Sequence, residues 1–477
     1  MRPVPTNKEG EPIIIPEVKI KERPDYVTQE REYELITPLF GGGVEPGTAD
    51  PVTVIRATEI RGHLRFWWRA TRGGQFDGNL EEMKKAEDKL WGAASKPDYL
   101  RVSEVRVSVR ITNEGKPEIP FEVIRNEKNG KPKLKQNTNV APPYAAFPLQ
   151  PKSEEMNIGW KSKPLLTKVR FILTLTYPQQ KAKEVEAAVW AWELLGGVGA
   201  RTRRGFGAIH LVNGNELIRL SESVNSVKEV MDWLTDVFKK SPYIQDENPP
   251  DNISHLRLNP YFEITDLNRS AHGAWSELIN AYRDFRQQRP DGDPKNRIPP
   301  GRSKWPEPEY IREITGQRLP KHQEIADLQK IERFPRAAFG LPIIFQFKDQ
   351  SRQRPPNPLD RHSDPRSTLL RLEDSERLAS PLILRPLKLG KDRYVGIALA
   401  LDGAMLPDQM MLQLEDSGLE ERFKRQSQLP RKGLRADMSD DQAKSLKMKE
   451  NDKPLMCGEN DVVIAFLEFL KSRRKNK

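Results

Sequence analysis

A single cysteine, Cys457, stands in 477 residues. That excludes an intrachain disulfide and any metal site built on clustered thiolates. No run of eighteen or more apolar residues occurs, so no membrane-spanning helix is expected. The opening residues, Met1-Arg2-Pro3-Val4-Pro5, lack an apolar core of signal-peptide length, and a cytoplasmic protein is expected. Acidic residues do not gather in a ligand-like pattern, and the pair Asp440-Asp441 falls in a polar, loop-like segment. No metal and no cofactor are therefore expected. No glycine loop is followed by Lys and then Ser or Thr opening a helix, which rules out a mononucleotide P-loop.

Acid is also in short supply relative to base. Lys+Arg number 79 and Asp+Glu 68, a formal net charge of +11. A field of that sign favours polyanions such as RNA, DNA or an anionic surface, without choosing between them. The chain is 36% hydrophobic and 31% charged, so it is globular but polar. Its length suits two or three domains. Forty prolines predict stiff connections and interrupted elements.

The most informative stretch is Gly196-Gly197-Val198-Gly199-Ala200-Arg201-Thr202-Arg203-Arg204-Gly205-Phe206-Gly207, with five glycines and three arginines in twelve residues. A helical segment leads into it and a strand-like one, 206–212, leaves it. Glycines at a helix exit supply positive φ and let backbone N–H groups approach a ligand. Arginines between them suit phosphate, because the guanidinium fork matches its oxygens. A dinucleotide fingerprint would run strand, glycines, helix; here the order is helix, glycines, strand. The competing reading is an ordinary turn with solvated arginines.

A second block, 55–74, reads as a helix capped by Thr58. Ile60, Leu64, Trp67 and Trp68 form its buried stripe. Arg61, Arg65, Arg69 and Arg72 form a basic ridge beside it, and Arg56 precedes it. Like charges on one helix face repel unless something anionic neutralises them. That partner is either a nucleic acid or Glu59 and the acidic residues of the next helix, Glu81–Trp91. Before this block, Arg31–Phe40 reads as a strand running into Gly41-Gly42-Gly43.

Further strands are expected at 102–111 and 168–177, with a helix at 181–195. Between them lies a basic insertion, 113–163, anchored by Tyr144 and Phe147. The order strand, helix, strand, strand, helix, strand is the split βαβ, ferredoxin-like arrangement. The second half is less regular. Helices are expected at 227–238, 273–287 and 462–471. Strands are expected at 256–264, 337–347 (broken by Pro342), 378–386 and 394–401. A Pro/Arg-rich insertion fills 288–323, and 405–455 is polar with little periodicity. The fold class is α+β: two ferredoxin-like (RRM-like, split βαβ) domains with long basic insertions. The expected divisions are a flexible arm at 1–28, a domain at 29–215 and a decorated domain at 216–477.

Gly197-Val198-Gly199, five residues with Arg201, Arg203 and Arg204, then Gly205-Phe206-Gly207 resembles the glycine-rich motif of the RAMP superfamily of CRISPR RNA-binding proteins. The blocks 35–43 and 55–70, with Arg336-Ala337-Ala338-Phe339-Gly340-Leu341-Pro342 and Arg377-Leu378-Ala379-Ser380-Pro381-Leu382, resemble the first-subunit family of the type III-B Cmr effector complex. The resemblance implies a non-catalytic subunit at the head end of an RNA-guided complex. Its partners would be guide RNA, target RNA and the other Cmr subunits, with no membrane. It would contact the 3′ region of the guide and the 5′ end of the target. By motif, Gly197, Gly199, Arg201, Arg203, Arg204, Gly205 and Gly207 would hold RNA, and Arg56, Arg61, Arg65 and Arg69 would line the adjoining surface.

The rival is a metal-independent endoribonuclease that processes guide RNA. It needs a general base near a 2′-hydroxyl and a cation for the developing phosphorane charge. His63, between Arg61 and Arg65, is the best-placed histidine for it. His210 lies within a strand and reads as structural, and His272 and His362 read as solvated.

Overall fold

The computed structural model describes residues 25–475 except 46, 94–101, 128–129, 152–154, 158–159, 161, 213–225, 290–300, 321–327, 329, 348–360, 404–405, 416–428 and 449–452. The expected arm at 1–28 falls almost wholly outside them.

Two sheets carry the architecture. The first contains β1 (Tyr26–Leu35), β2 (Arg106–Asn113), β3 (Arg170–Pro178) and β4 (Ile209–Leu211), in the order β2-β3-β1-β4, each neighbour antiparallel. Alternation sends Phe171, Leu173, Leu175 and Tyr177 of β3 to the buried face. Two helices cover that face, α1 (Ala57–Arg72) and α3 (Ala182–Leu195), packed on each other. Between α1 and β2 runs α2 (Leu80–Trp91), whose Asn79 cap accepts the Glu82 N–H at 3.1 Å.

After α4 (Val227–Lys239), the second sheet holds β5 (Phe262–Ile264), β6 (Leu382–Gly390) and β7 (Arg393–Ala400), in the order β6-β7-β5, again antiparallel. It is packed by α5 (Ala271–Gln287) and by α7 (Val462–Lys475). Between α5 and β6 comes α6 (Glu307–Thr315). A further four-stranded sheet joins 343–345, 368–372, 410–414 and 431–434 and has its own apolar cluster around Tyr310, Ile311 and Phe334. Mixed helices and antiparallel sheets make the chain α+β, as its patterning indicates.

Several boundaries differ from the sequence reading. The first strand runs 26–35 rather than 31–40, because its partner β3 pairs Tyr26 with Pro178 and extends the ladder toward the N-terminus. Thr58 is inside α1, not its cap; Arg56 takes the cap position, and its side chain makes no capping bond to the helix. Segment 337–347 is a 3-10 turn, Pro335–Phe339, then a short strand, Ile343–Phe345. The insertion 288–323 contains α6, whose first-turn proline is tolerated because that N–H has no intrahelical partner.

The two sheets share buried contacts. Tyr33, Trp192 and Leu195 belong to the same apolar cluster as Ile383, Leu387 and Ile397. At this seam lies Arg385, 1% exposed. Its Nη1 donates to the carbonyls of Gly196 at 2.6 Å and Glu193 at 3.1 Å, and its Nη2 to Ile209 at 2.7 Å. No carboxylate pairs with it among the described contacts, and burial lowers its pKa to about 9. The residue thus ties β6 to the end of α3 and to β4. Its Nε also donates to the Pro386 carbonyl at 3.2 Å, so Arg385→Ala would leave four carbonyls without this donor and lower unfolding free energy by about 3–5 kcal/mol. Urea denaturation of the full chain checks this; a loss below about 1 kcal/mol would make the residue incidental to the seam.

Candidate nucleic-acid interface

α3 ends with Gly196 N–H on the Trp192 carbonyl at 2.8 Å. The loop then folds back on itself. Gly197 bridges Ala208, and Val198 N–H donates to Gly207 at 3.0 Å. Arg201 takes a left-handed conformation, φ 58°, and Thr202–Arg204 forms one 3-10 turn closed by Gly205 at φ 83°. A Cβ on Gly205 would lie 2.4 Å from Trp275 Nε1, and one on Gly199 2.6 Å from the Phe40 carbonyl. Glycine is therefore required by the protein's own packing.

The backbone donors are used in the same way. Gly199 N–H goes to Glu59. Ala200 N–H goes to Phe40 at 2.6 Å, Gly205 to Thr202 at 3.0 Å and Gly207 to Pro38 at 2.8 Å. The expectation of N–H groups left open for a ligand is corrected at these positions. They serve instead to lock the loop to 38–43 and to α1. Arg56 completes the contact, its Nε donating to the Gly42 carbonyl at 2.9 Å.

The three loop arginines divide. Arg203 donates to the Ser380 carbonyl and lies 4.8 Å from the Phe66 ring centroid. Arg204 donates to the Phe339 carbonyl at 3.2 Å and lies 4.4 Å from the centroid of Tyr282. Burial, then the Arg204 charge, lowers Arg203 to about 10, and burial lowers Arg204 as well. Arg201 is exposed and makes no side-chain hydrogen bond or ion pair among the described residues. The protein mass beneath it and the Arg204 charge bring it down to about 10. So Arg203 and Arg204 hold the second half of the chain, and Arg201 is the one turned to solvent.

The ridge on α1 divides too. Arg65 donates to Glu87 at 2.7 Å and Asp88 at 3.2 Å, and Arg69 donates to Glu87. Arg72 pairs with Glu184 at 2.7 Å. The acidic partners of the ridge are therefore supplied by α2 and α3. Arg61 instead donates to the carbonyls of Val105 at 3.3 Å and Trp91 at 3.5 Å; burial and the Arg65 charge lower its pKa. Its charge has no carboxylate partner among the described contacts.

His63 Nε2 is 3.8 Å from Glu59 Oε1, beyond hydrogen-bond reach. His210 lies in β4, opposite Glu34. Burial, then the Lys388 charge, lowers it to about 4, so it is neutral near pH 7, in keeping with a structural role. His272 is half-buried, bonded to Ser276 at 3.1 Å, rather than solvated. Sequence reasoning missed Arg385, Arg286 and Tyr282. The lone charge in Leu382-Ile383-Leu384-Arg385-Pro386-Leu387 was the available signal for the first; the other two read only as members of an amphipathic helix.

Comparison with known proteins bears on this same region. Residues 32–210 match the model of the RAMP superfamily. The CRISPR system Cmr subunit Cmr1-2 of Pyrococcus furiosus is 24% identical over 193 residues, 39% of this chain and 96% of that protein. Subunit Cmr1-1 of the same organism is 23% identical over 245 residues, 49% of this chain and 66% of that one. Among solved structures, apo Cmr1 from Pyrococcus furiosus aligns with a TM-score of 0.43 at 18% identity, covering 79% of this chain and 88% of that one. A chain of the type III-B Cmr-beta complex bound to cognate target RNA aligns with a TM-score of 0.44 at 14% identity, covering 79% and 94%.

Two outcomes are expected. Arg201→Ala should leave stability within about 0.5 kcal/mol of the parent, whereas Arg204→Ala should cost about 2–4 kcal/mol; equal losses in urea titrations would contradict the division. For His210, the folded pKa lies below the unfolded one, so the unfolded chain binds more protons between them. Its contribution to stability is complete above about pH 6.5 and falls as pH drops toward 4. His210→Gln should flatten that part of the stability profile, and an unchanged acid limb would show that other groups set it.

Proposed function

We propose that this chain is an RNA-binding subunit of a type III-B Cmr effector complex, working in the cytoplasm in antiviral defence. On this reading it sits at the head end, contacts the 3′ region of the guide RNA and the 5′ end of the target RNA, and is joined by the other Cmr subunits. It binds and positions RNA and leaves cleavage to other chains. The observation that carries the reading is a coincidence of place: the RAMP-matched span, 32–210, contains the glycine-rich loop, the 41–43 turn and α1, which pack against one another and leave Arg201 exposed on the loop. The two curated relatives named Cmr subunits support the assignment to that complex.

The division into 29–215 and 216–477 belongs to this proposal. The order β2-β3-β1-β4 with α1 and α3 on one face suits a ferredoxin-like unit. The order β6-β7-β5 with α5 and α7 suits a second such unit short of its fourth strand. The RNA-facing set we assign is Gly197, Gly199, Arg201, Arg203, Arg204, Gly205 and Gly207, with Arg56, Arg61, Arg65 and Arg69 alongside. Their roles differ: the glycines and Arg203 shape the loop, Arg201 offers a free guanidinium, and Arg65 and Arg69 contribute through a face already balanced by α2.

Phosphate contacts of this kind bind with little base preference and weaken steeply with salt. The nuclease alternative is disfavoured because the His63–Glu59 separation of 3.8 Å leaves the histidine without an orienting hydrogen bond to that carboxylate.

The test uses the purified full chain with end-labelled single-stranded RNA, with and without divalent metal, on native and denaturing gels across a salt series. Shifted but intact RNA, released as salt rises, is expected. Arg201→Ala should reduce the slope of log K against log salt by about 0.7–1. Discrete products that disappear in His63→Ala would overturn the binding-subunit reading in favour of a processing nuclease.

A further inference from the structure

Beneath the glycine-rich loop, three buried polar atoms lack partners within one small neighbourhood. Tyr282, on α5, is 1% exposed, and its Oη has no hydrogen bond. Arg204 Nη1 and Arg286 Nε are likewise buried and unbonded. Both guanidiniums lie against the same phenol ring, Arg204 at 4.4 Å from its centroid and Arg286 at 5.5 Å. Tyr144, from the insertion after β2, closes on Tyr282 edge to face at 6.1 Å. Arg201 stands at the exposed rim, close enough to feel Arg204, Tyr282, Tyr144 and Arg286. Buried donors without acceptors are costly, and folded proteins rarely keep three together.

The charge balance points the same way. The carboxylate acting on Arg286 is Glu307. Its Oε1 is already taken by Arg336, through both Nε and the backbone N–H at 3.0 Å. Its Oε2 is buried without a partner. That one carboxylate serves both Arg336 and Arg286, and no carboxylate pairs with Arg201 or Arg204 among the described contacts. Aromatic faces temper the charge of Arg204 and Arg286 but supply no acceptor for their N–H groups.

We propose that Arg204, Arg286 and Tyr282, with Arg201 at the rim, form a binding site for a single phosphate group. Arg204 Nη1, Arg286 Nε and the phenol hydroxyl give donors of differing direction, which a tetrahedral, multiply charged oxyanion can accept together. A planar carboxylate would use fewer of them and offset less charge. The site uses residues from both halves of the chain, so a bound phosphate would also brace the seam between them. The cluster's affinity for phosphate rests on its unpartnered donors; that the phosphate belongs to RNA, within the strand or at its end, rests on the function proposed above.

The experiment is thermal unfolding of the full chain titrated with inorganic phosphate, with chloride at matched ionic strength as reference. The parent should gain several degrees over chloride. Tyr282→Phe removes the hydroxyl and keeps the ring against which both guanidiniums lie, so it should be nearly as stable as the parent without phosphate and lose most of the phosphate gain. Arg286→Lys, which keeps the charge and loses the fork, should behave alike. The same proteins are then tested with ten-nucleotide RNAs bearing a 5′-phosphate, a 3′-phosphate or neither. In both variants, RNA affinity should fall about fivefold to tenfold. If one phosphorylated end binds best to the parent and loses that advantage in Tyr282→Phe, the site takes a strand terminus. Equal parental affinities that weaken together in the variant support an internal phosphate. A parent that follows ionic strength alone, or a Tyr282→Phe variant that keeps the full phosphate gain, overturns the site. RNA binding retained in that case leaves the RNA reading standing. A phosphate gain without any RNA binding does the reverse.

Discussion

Positive charge buried against carbonyl dipoles is the constraint on which this molecule depends. Arg203 meets the Ser380 carbonyl, Arg204 that of Phe339, and Arg385 those of Glu193, Gly196 and Ile209. Carbonyls satisfy the directional N–H forks yet cancel no formal charge. At these three arginines the contact between the halves is therefore held by directional bonds that leave the guanidinium charge uncancelled. Had carboxylates filled these positions, the halves could have been joined as firmly, but the loop would present no net field. On the RNA reading, the same bonds that fix the loop in place preserve the charge that attracts a polyanion.

The ridge on α1 shows the opposite choice. Its arginines recur at helical spacing, which from sequence suits either a nucleic-acid face or an ion-paired face. Glu87 and Asp88, buried on α2, decide the matter for Arg65 and Arg69. Arg65, paired with both carboxylates, and Arg69, sharing Glu87 with it, have little charge left to offer at a distance. Two arginine-rich stretches of similar composition thus have different electrostatics, and the difference lies in which element packs beside each.

Periodicity made the first sheet and its helices readable, because each element buries one face and the apolar residues recur at the matching interval. The stripe Ile60, Leu64, Trp67 and Trp68 is buried as spaced. What was not readable depended on partners distant in the chain. The start of β1 is set by pairing with β3, across more than a hundred residues. The prolines of 288–323 disguised α6, since Pro in a first turn and Pro in a loop look alike in sequence. At the candidate site, the glycines were legible as a special backbone, but what they approach was not. Trp275, which lies against Gly205, comes from the other half of the chain.

That last point bears on how such a loop can recognise phosphate at all. A glycine-rich loop usually suggests recognition through exposed backbone N–H groups. Here the N–H groups of residues 198–200, 205 and 207 are bonded to the protein itself, and Glu59, an anion, occupies that of Gly199. A phosphate approaching that stretch would meet a carboxylate rather than a ring of donors. On the RNA reading, recognition passes instead to side chains raised on the rigid turn. Arg201 is held there in a left-handed conformation that ordinarily costs about 1–3 kcal/mol, and the bonds on either side of it sustain that conformation. The glycines contribute indirectly: by packing the loop tightly, they fix where the Arg201 guanidinium stands relative to Arg204 and Tyr282 beneath it.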